Sequence, residues 1–130
     1  MTYTIAMSNE KGGVAKTTTT INLGASLALA NQRVLLVDVD PQGKLTSGVG
    51  QKGHAGPGGT VYDALTQDHV DPHAVIISTG VDHLSLIPAD RDLTGAEIEL
   101  VSLEGRDRRL RSLLEPLRSE FDFIFIDSPP

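Results

Sequence analysis

The chain has 130 residues, a size that suits one domain with a buried core. Its formal net charge is -6, its aromatic content is 4% and it has no Trp, so the chain as a whole is neither a basic nucleic-acid module nor a platform for base stacking. The absence of Cys excludes disulfides, thiolate catalysis and Cys-ligated metal centres from this segment. Because no signal peptide and no apolar run of membrane length is apparent, we expect a cytoplasmic protein without membrane contact.

Short apolar runs alternate with helical patterns along the chain. We predict strands at residues 3–7, 34–37, 74–78, 84–87 and 121–126, and helices at residues 16–30, 61–65 and 105–119. The run at 34–37 is continuously apolar, which is typical of a strand buried on both faces of a parallel sheet. The Gly-rich stretch at 47–59 is interpreted as a flexible surface loop.

The last predicted helix has one apolar face and an internal proline. Its face carries four leucines, namely Leu110, Leu113, Leu114 and Leu117. Pro116 lies inside this pattern and should kink or shorten the last turn.

This order of elements predicts an α/β fold, a parallel sheet flanked by helices. Such sheets bind ligands at the carboxyl ends of their strands. Three polar segments fall at predicted strand ends: residues 9–17, residues 38–42 and Asp127. We therefore expect them to form one site.

The first of these segments has the features of a phosphate-binding loop. Residues 11–18 read Lys-Gly-Gly-Val-Ala-Lys-Thr-Thr and lie between a predicted strand and a predicted helix. Glycines let backbone N–H groups turn toward phosphate oxygens, and the helix N-terminus adds partial positive charge. Lys16 would then reach the β and γ phosphates of a nucleotide, and the Thr17 hydroxyl would ligate Mg²⁺.

Two departures from the general phosphate-loop motif leave a plain turn as an alternative interpretation of this segment. The general pattern G-x-x-x-x-G-K-[ST] has glycines where this chain has Glu10 and Ala15. Asp38 and Asp40, the acids after the buried strand, can likewise be turn formers without chemistry. Lys11, taken alone, can be a solvated loop lysine.

The same residues resemble the motifs of a known superfamily. Residues 11–18 resemble the deviant Walker A motif of the ParA/MinD superfamily, whose additional lysine is here Lys11. Residues 38–43, Asp-Val-Asp-Pro-Gln-Gly, resemble the second motif of the ParA/Soj branch, although Lys44 stands where that branch usually has Asn. Residues 87–89 and 95–100 also resemble Soj-type proteins, and residues 124–130 resemble their Walker B strand.

The resemblance covers nearly the whole chain and implies a fold and an activity. It implies a P-loop NTPase-like domain at residues 1–130, the N-terminal part of a ParA/Soj-type partition ATPase that uses ATP and Mg²⁺. The implied nucleotide-binding residues are Lys11, Gly12, Gly13, Val14, Ala15, Lys16, Thr17 and Thr18.

The resemblance also implies catalytic roles. Lys16 would bind phosphate within its own subunit, and Lys11 would reach the partner's nucleotide across a dimer interface. Asp40 would orient the attacking water. The implied metal ligands are Thr17, Asp127 acting through water, and Asp38, which alternatively supports the strand end.

The implied assembly is a homodimer that forms with ATP and binds DNA without sequence preference, through regions outside this chain. A ParB-like activator would stimulate hydrolysis, and the protein would be nucleoid-associated. Two alternatives remain open. One is a non-catalytic nucleotide-binding or interaction fragment, and the other is a MinD-like membrane-associated regulator, which the sequence at residues 40–43 disfavours.

Overall fold

The computed structural model describes residues 2–7, 13–67, 69–90 and 103–128. These residues form a five-stranded sheet with helices on both faces. The strands are β1 (Tyr3–Met7), β2 (Val34–Asp38), β3 (Ile77–Ser78), β4 (Leu84–Ile87) and β5 (Phe123–Asp127). The helices are α1 (Gly13–Leu29), α2 (Lys44–Gly48), α3 (Val61–Thr66) and α4 (Leu103–Leu114), and 3₁₀ turns cover Pro72–Val75 and Glu115–Leu117.

The order of the strands brings three polar segments to one edge of the sheet. The order is β1-β5-β2-β4-β3, and the first four strands of that order pair in parallel. This confirms the predicted α/β fold. In the register, Asp127 at the end of β5 lies opposite Asp38 at the end of β2 on one side and Met7 on the other. The carboxyl ends of three neighbouring strands therefore meet, as ligand sites of such sheets require.

The predicted strand at residues 74–78 is wrong over most of its length. Only Ile77 and Ser78 form a strand, and this strand pairs antiparallel with β4, so the sheet is mostly rather than wholly parallel. The preceding residues form a 3₁₀ turn instead. Pro72 fixes the backbone at the start of that turn, and the Asp71 side chain caps it by accepting the N–H of His73 at 3.0 Å.

The sheet separates two apolar clusters, and β2 contributes to both. Leu35 and Val37 pack with α3 and α4, whereas Val34 and Leu36 pack with α1 and α2 on the opposite face. All five residues of β2 are buried. Successive side chains of a strand point to opposite faces, so a strand covered on both faces is apolar on both, as Val34 to Val37 are; Asp38 ends the strand as a buried carboxylate. The sequence-based prediction for this strand is confirmed.

The amphipathic helix predicted at residues 105–119 is confirmed as α4 and the turn that follows it. Its four leucines, Leu110, Leu113, Leu114 and Leu117, are all buried against the sheet. The α-helix gives way to a 3₁₀ turn at Glu115. Pro116 explains this change, because it has no N–H to donate and its ring conflicts with the carbonyl one turn earlier.

The remaining elements agree with the sequence pattern, with one addition. α1 and α3 lie where helices are predicted, and α2 is a short helix that the pattern did not reveal. From Val49 onward the Gly-rich stretch is irregular, with a single isolated bridge between Gly56 and Gly59. In the described part of the chain, no helix is long and apolar enough to cross a bilayer.

Candidate nucleotide-binding site

A buried ion pair joins helix α1 to strand β5 at the carboxyl edge of the sheet. Nζ of Lys16 lies 2.8 Å from Oδ1 of Asp127 and also donates a hydrogen bond to the carbonyl oxygen of Ser128. Asp127 is fully buried, and Lys16 is only 7% exposed. Since an unpaired carboxylate would be strongly destabilising there, the pairing holds the lysine at the strand end.

The start of α1 brings a hydroxyl group to the same carboxylate. Oγ1 of Thr17 donates to Oδ2 of Asp127 at 3.0 Å, so the two oxygens of Asp127 face a cation and a hydroxyl. α1 has no acidic residue in its first turn. The partial positive charge of its N-terminus is therefore not offset by its own side chains and favours an anion.

Asp38 lies fully buried on the neighbouring strand, and its hydrogen bonds come from the segment that follows it. Its Oδ1 accepts the N–H of Asp40 at 3.0 Å. Its Oδ2 accepts the N–H of Thr46 at 2.9 Å and the Thr46 hydroxyl at 2.6 Å. Burial raises the pKa of Asp38 to about 6, although the hydrogen bonds from Thr46 oppose that rise.

Asp40 begins a tight turn that leads into α2. Its Oδ1 accepts the N–H of Gln42 at 2.9 Å, and its carbonyl oxygen accepts the N–H of Gly43 at 2.9 Å. Gly43 adopts the left-handed conformation with φ 63°, which glycine tolerates without steric cost. Among the residues that the structure describes, Oδ2 of Asp40 accepts no hydrogen bond, so this oxygen can orient a water molecule.

The fold and these contacts agree with a family-level match. The family model described as an AAA domain matches residues 2–130. The chain belongs to this AAA-domain family.

Relatives of this AAA-domain chain are named as partition proteins. It is 52% identical over 126 residues to the chromosome partitioning protein ParA of Myxococcus xanthus, covering 97% of this chain and 44% of that protein. It is 47% identical over 131 residues to the chromosome-partitioning ATPase Soj of Treponema pallidum, covering 100% of this chain and 49% of that protein. The chain spans about half the length of the curated relatives it matches. The resemblance to the N-terminal part of ParA/Soj-type proteins is confirmed.

A solved structure shares the fold of the whole chain. Cobyrinic acid a,c-diamide synthase from Mycobacterium smegmatis, with bound ATP analog and magnesium, matches with a TM-score of 0.83 and 42% identity. The match covers 100% of this chain and 52% of that chain. The predicted P-loop NTPase-like fold is confirmed.

The side chains at the edge of the sheet fit a Mg²⁺ ion held together with phosphate. The Thr17 hydroxyl and the Asp127 carboxylate are neighbouring oxygen donors. Mg²⁺ typically keeps several waters and binds through one or two carboxylates plus substrate phosphates. Among the described residues, no three His, Asp or Glu side chains form a ligand cluster.

The structure brings five of the predicted site residues to one edge in two groups. Lys16 and Thr17 contact Asp127, while Asp38 and Asp40 are joined by a hydrogen bond at the adjacent strand end. The other predicted nucleotide-binding residues are distributed as follows: Gly13 and Val14 begin α1, Ala15 and Thr18 are exposed, and Lys11 and Gly12 lie outside the described residues.

Sequence reasoning missed Thr46, which supplies two of the three hydrogen bonds that Asp38 accepts from the described residues. It is separated from Asp38 by eight positions and sits in α2, the helix that the pattern did not reveal. The sequence Pro41-Gln42-Gly43 was a usable signal of a turn after β2, since Pro and Gly mark breaks in regular structure.

The raised pKa of Asp38 is testable by carboxyl ¹³C NMR in buffer without Mg²⁺. We expect Asp38 to titrate with a midpoint near pH 6, above its ordinary value of 3.8, because burial disfavours the charged form. Since the folded pKa is the higher one, the stabilisation by this group is complete below pH 3.8 and is lost as the pH rises through about 6. Asp122 is the internal control, because its hydrogen bonds to Arg33 lower its pKa. A midpoint for Asp38 at or below that of Asp122 would contradict this assignment.

Proposed function

We propose that this chain binds ATP with Mg²⁺ at the carboxyl edge of its sheet and hydrolyses it, as the N-terminal nucleotide-binding domain, residues 1–130, of a ParA/Soj-type partition ATPase. The observation that carries the proposal is the buried contact of Lys16 and Thr17 with Asp127 at the start of α1. A cation, a hydroxyl and a carboxylate at a helix N-terminus are the groups that a nucleotide phosphate and its metal ion require.

Phosphate binding rests on the first turn of α1 and the loop before it. The helix N-terminus attracts the phosphate chain, and Lys16 supplies a full positive charge beside it. The proposed binding segment comprises residues 11–18. Because Lys16 is almost completely buried, its charge acts in a region of low dielectric and is screened little by solvent.

Mg²⁺ would be held by the Thr17 hydroxyl and, through water, by the Asp127 carboxylate. When bound, the ion neutralises phosphate charge and orients phosphate oxygens. Asp38 lies opposite Asp127 in the sheet register and adds negative charge to these surroundings. This is the proposed role of Asp38 toward the metal, alongside its structural hydrogen bonds.

Asp40 is the proposed residue that orients the attacking water. Its Oδ1 accepts the N–H of Gln42 in its own turn, which fixes the carboxylate and leaves Oδ2 for a water molecule. Phosphoryl transfer depends on positioning and charge neutralisation, so a carboxylate held in this way is suited to the task. Lys11 of a second copy would add a further cation to the same nucleotide.

The wider role follows from the relatives named as partition proteins. In the whole protein, ATP would drive formation of a homodimer that binds DNA without sequence preference through regions outside this chain. A ParB-like partner would stimulate hydrolysis, and the protein would act in the cytoplasm on the nucleoid. Each of these properties belongs to the proposal for the complete protein.

Replacing Lys16 tests nucleotide binding. We expect Lys16→Ala to lose measurable binding of a fluorescent ATP analogue in the presence of Mg²⁺, because the charge next to the phosphates is gone. Lys44→Ala is the matched control, since Lys44 is an exposed lysine at the start of α2 and should leave binding unchanged. Because Lys16→Ala leaves the buried Asp127 without its cation, circular dichroism first identifies conditions in which both variants are folded, and binding is compared there. Unchanged affinity in folded Lys16→Ala would refute the phosphate-binding assignment.

Replacing Asp40 separates binding from hydrolysis. Asp40→Ala should keep ATP affinity within a few-fold and lower kcat by a factor of about 10² to 10⁴, the usual contribution of a positioned acid–base group. Asp82→Ala, at an exposed aspartate in the turn before β4, is the control. Turnover at the wild-type rate in Asp40→Ala would show that Asp40 does not orient the attacking water. An unmodified chain that binds ATP without turning it over would favour the non-catalytic alternative.

A further inference from the structure

We propose that Thr46 is a positioning residue for ATP hydrolysis. Its hydroxyl links the carboxylate of Asp38 to the backbone just after β4, and the Asp38 carboxylate in turn holds the backbone of Asp40 in place. The inference rests on the proposed function, since it concerns the geometry of the residue assigned to the attacking water. It adds to that function a side chain that contacts neither nucleotide nor metal in the proposal.

The hydroxyl of Thr46 forms two hydrogen bonds, one to the end of β2 and one to the segment just after β4. It donates to Oδ2 of Asp38 at 2.6 Å and accepts the N–H of Ala89 at 2.9 Å. Thr46 is 1% exposed and Ala89 is 3% exposed, so water does not replace these bonds. We call this arrangement the Asp38–Thr46–Ala89 bridge. Breaking it would leave the Ala89 N–H buried without a partner, which is costly.

The bridge connects two parallel strands beyond their last paired residues. β2 and β4 are hydrogen-bonded as far as Val37 and Ile87. Past these residues the sheet no longer holds the two chain segments together, and the hydroxyl of Thr46 takes over. The segment after β2, whose Val39 N–H donates to the carbonyl oxygen of Asp127 on β5, is thereby also tied to the end of β4 through a side chain.

Asp40 depends on the bridge through Asp38. Oδ1 of Asp38 accepts the N–H of Asp40, while Oδ2 is held by the backbone and side chain of Thr46. A carboxylate is planar, so fixing one oxygen fixes the direction in which the other oxygen accepts its hydrogen bond. Loss of the Thr46 hydroxyl therefore leaves Oδ2 of Asp38 held by the Thr46 N–H alone, which weakens the hold on the carboxylate and loosens the backbone of Asp40.

The geometry distinguishes this role from a general contribution to stability. Thr79 has a similar hydroxyl, which donates to the carbonyl of Leu84 at 2.8 Å and accepts the N–H of Val81 at 3.2 Å. It is also buried, at 9% exposed, but it lies in the turn between β3 and β4, away from Asp40. The same substitution at Thr79 removes an equivalent pair of hydrogen bonds without touching the bridge.

Steady-state ATP hydrolysis by four single variants and one double variant tests the inference. We expect Thr46→Val to lower kcat about tenfold or more and to leave KM for ATP within about twofold, because misplacing a catalytic group costs rate rather than binding. Thr46→Ser keeps the hydroxyl and should retain wild-type kcat, as should Thr79→Val. In the Asp40→Ala background, Thr46→Val should produce no additional fall in kcat.

Several outcomes of these assays would overturn the inference. Wild-type kcat in Thr46→Val would show that the bridge does not position Asp40. A rise in KM that accounts for the whole loss of kcat/KM would place the effect on nucleotide binding instead. An equal fall of kcat in Thr79→Val would show that the fall in Thr46→Val comes from a general loss of stability.

Amide hydrogen exchange provides a readout that does not depend on turnover. Protection of the Asp40 and Ala89 amides should fall about tenfold in Thr46→Val and stay at the wild-type level in Thr46→Ser, because local opening sets the exchange rate. Unchanged protection of the Asp40 amide would overturn the inference. If the wild-type chain binds ATP without turnover, the proposed hydrolysis fails, and the exchange measurement still decides whether Thr46 positions Asp40.

Discussion

The burial of two carboxylates at adjacent strand ends is the constraint on which the rest of this structure depends. Asp38 and Asp127 lie opposite each other in the parallel register, and both are fully buried. Like charges in a region of low dielectric repel each other, and each also loses its hydration. The chain can adopt this fold only if both carboxylates are compensated by neighbouring groups.

The two carboxylates are compensated in different ways. Asp127 is paired with the ammonium of Lys16, which brings helix α1 to the end of β5. Asp38 has hydrogen-bond donors from Asp40 and Thr46, and burial raises its pKa to about 6. The ion pair of Asp127 places the Lys16 cation where a phosphate would bind. The hydrogen bonds to Asp38 hold the segment that contains Asp40. The need to compensate two buried carboxylates thus determines the position of Lys16 and of Asp40 in the proposed site.

The fold was largely predictable because its signals are local. The continuous apolar run of β2 and the leucine face of α4 each reflect burial that the sequence pattern records directly. The predicted strand at residues 74–78 failed for a local reason as well. Apolar side chains there suggested a strand, but Pro72 and the capping carboxylate of Asp71 stabilise a 3₁₀ turn instead.

The site was predictable only in part, because its contacts span distant segments. Lys16, Thr17 and Asp127 could be assigned from motif spacing and from the rule that ligands bind at the carboxyl ends of parallel strands. The bond between Thr46 and Ala89 joins residues 43 positions apart, one in α2 and one just after β4, and no local pattern specifies that these two segments meet. The expectation for Lys11 concerns a second copy of the chain and stays a prediction.

A crystal structure of this chain with Mg²⁺ and a non-hydrolysable ATP analogue tests the central claim most directly. We expect density for the phosphates at the N-terminus of α1, with Lys16 on a phosphate oxygen and Thr17 as a metal ligand. Nucleotide bound elsewhere would contradict it, for example in the cavity between α3 and α4 that Ala64, Arg108 and Leu113 line. Crystals grown at saturating nucleotide that contain none at α1 would contradict it equally.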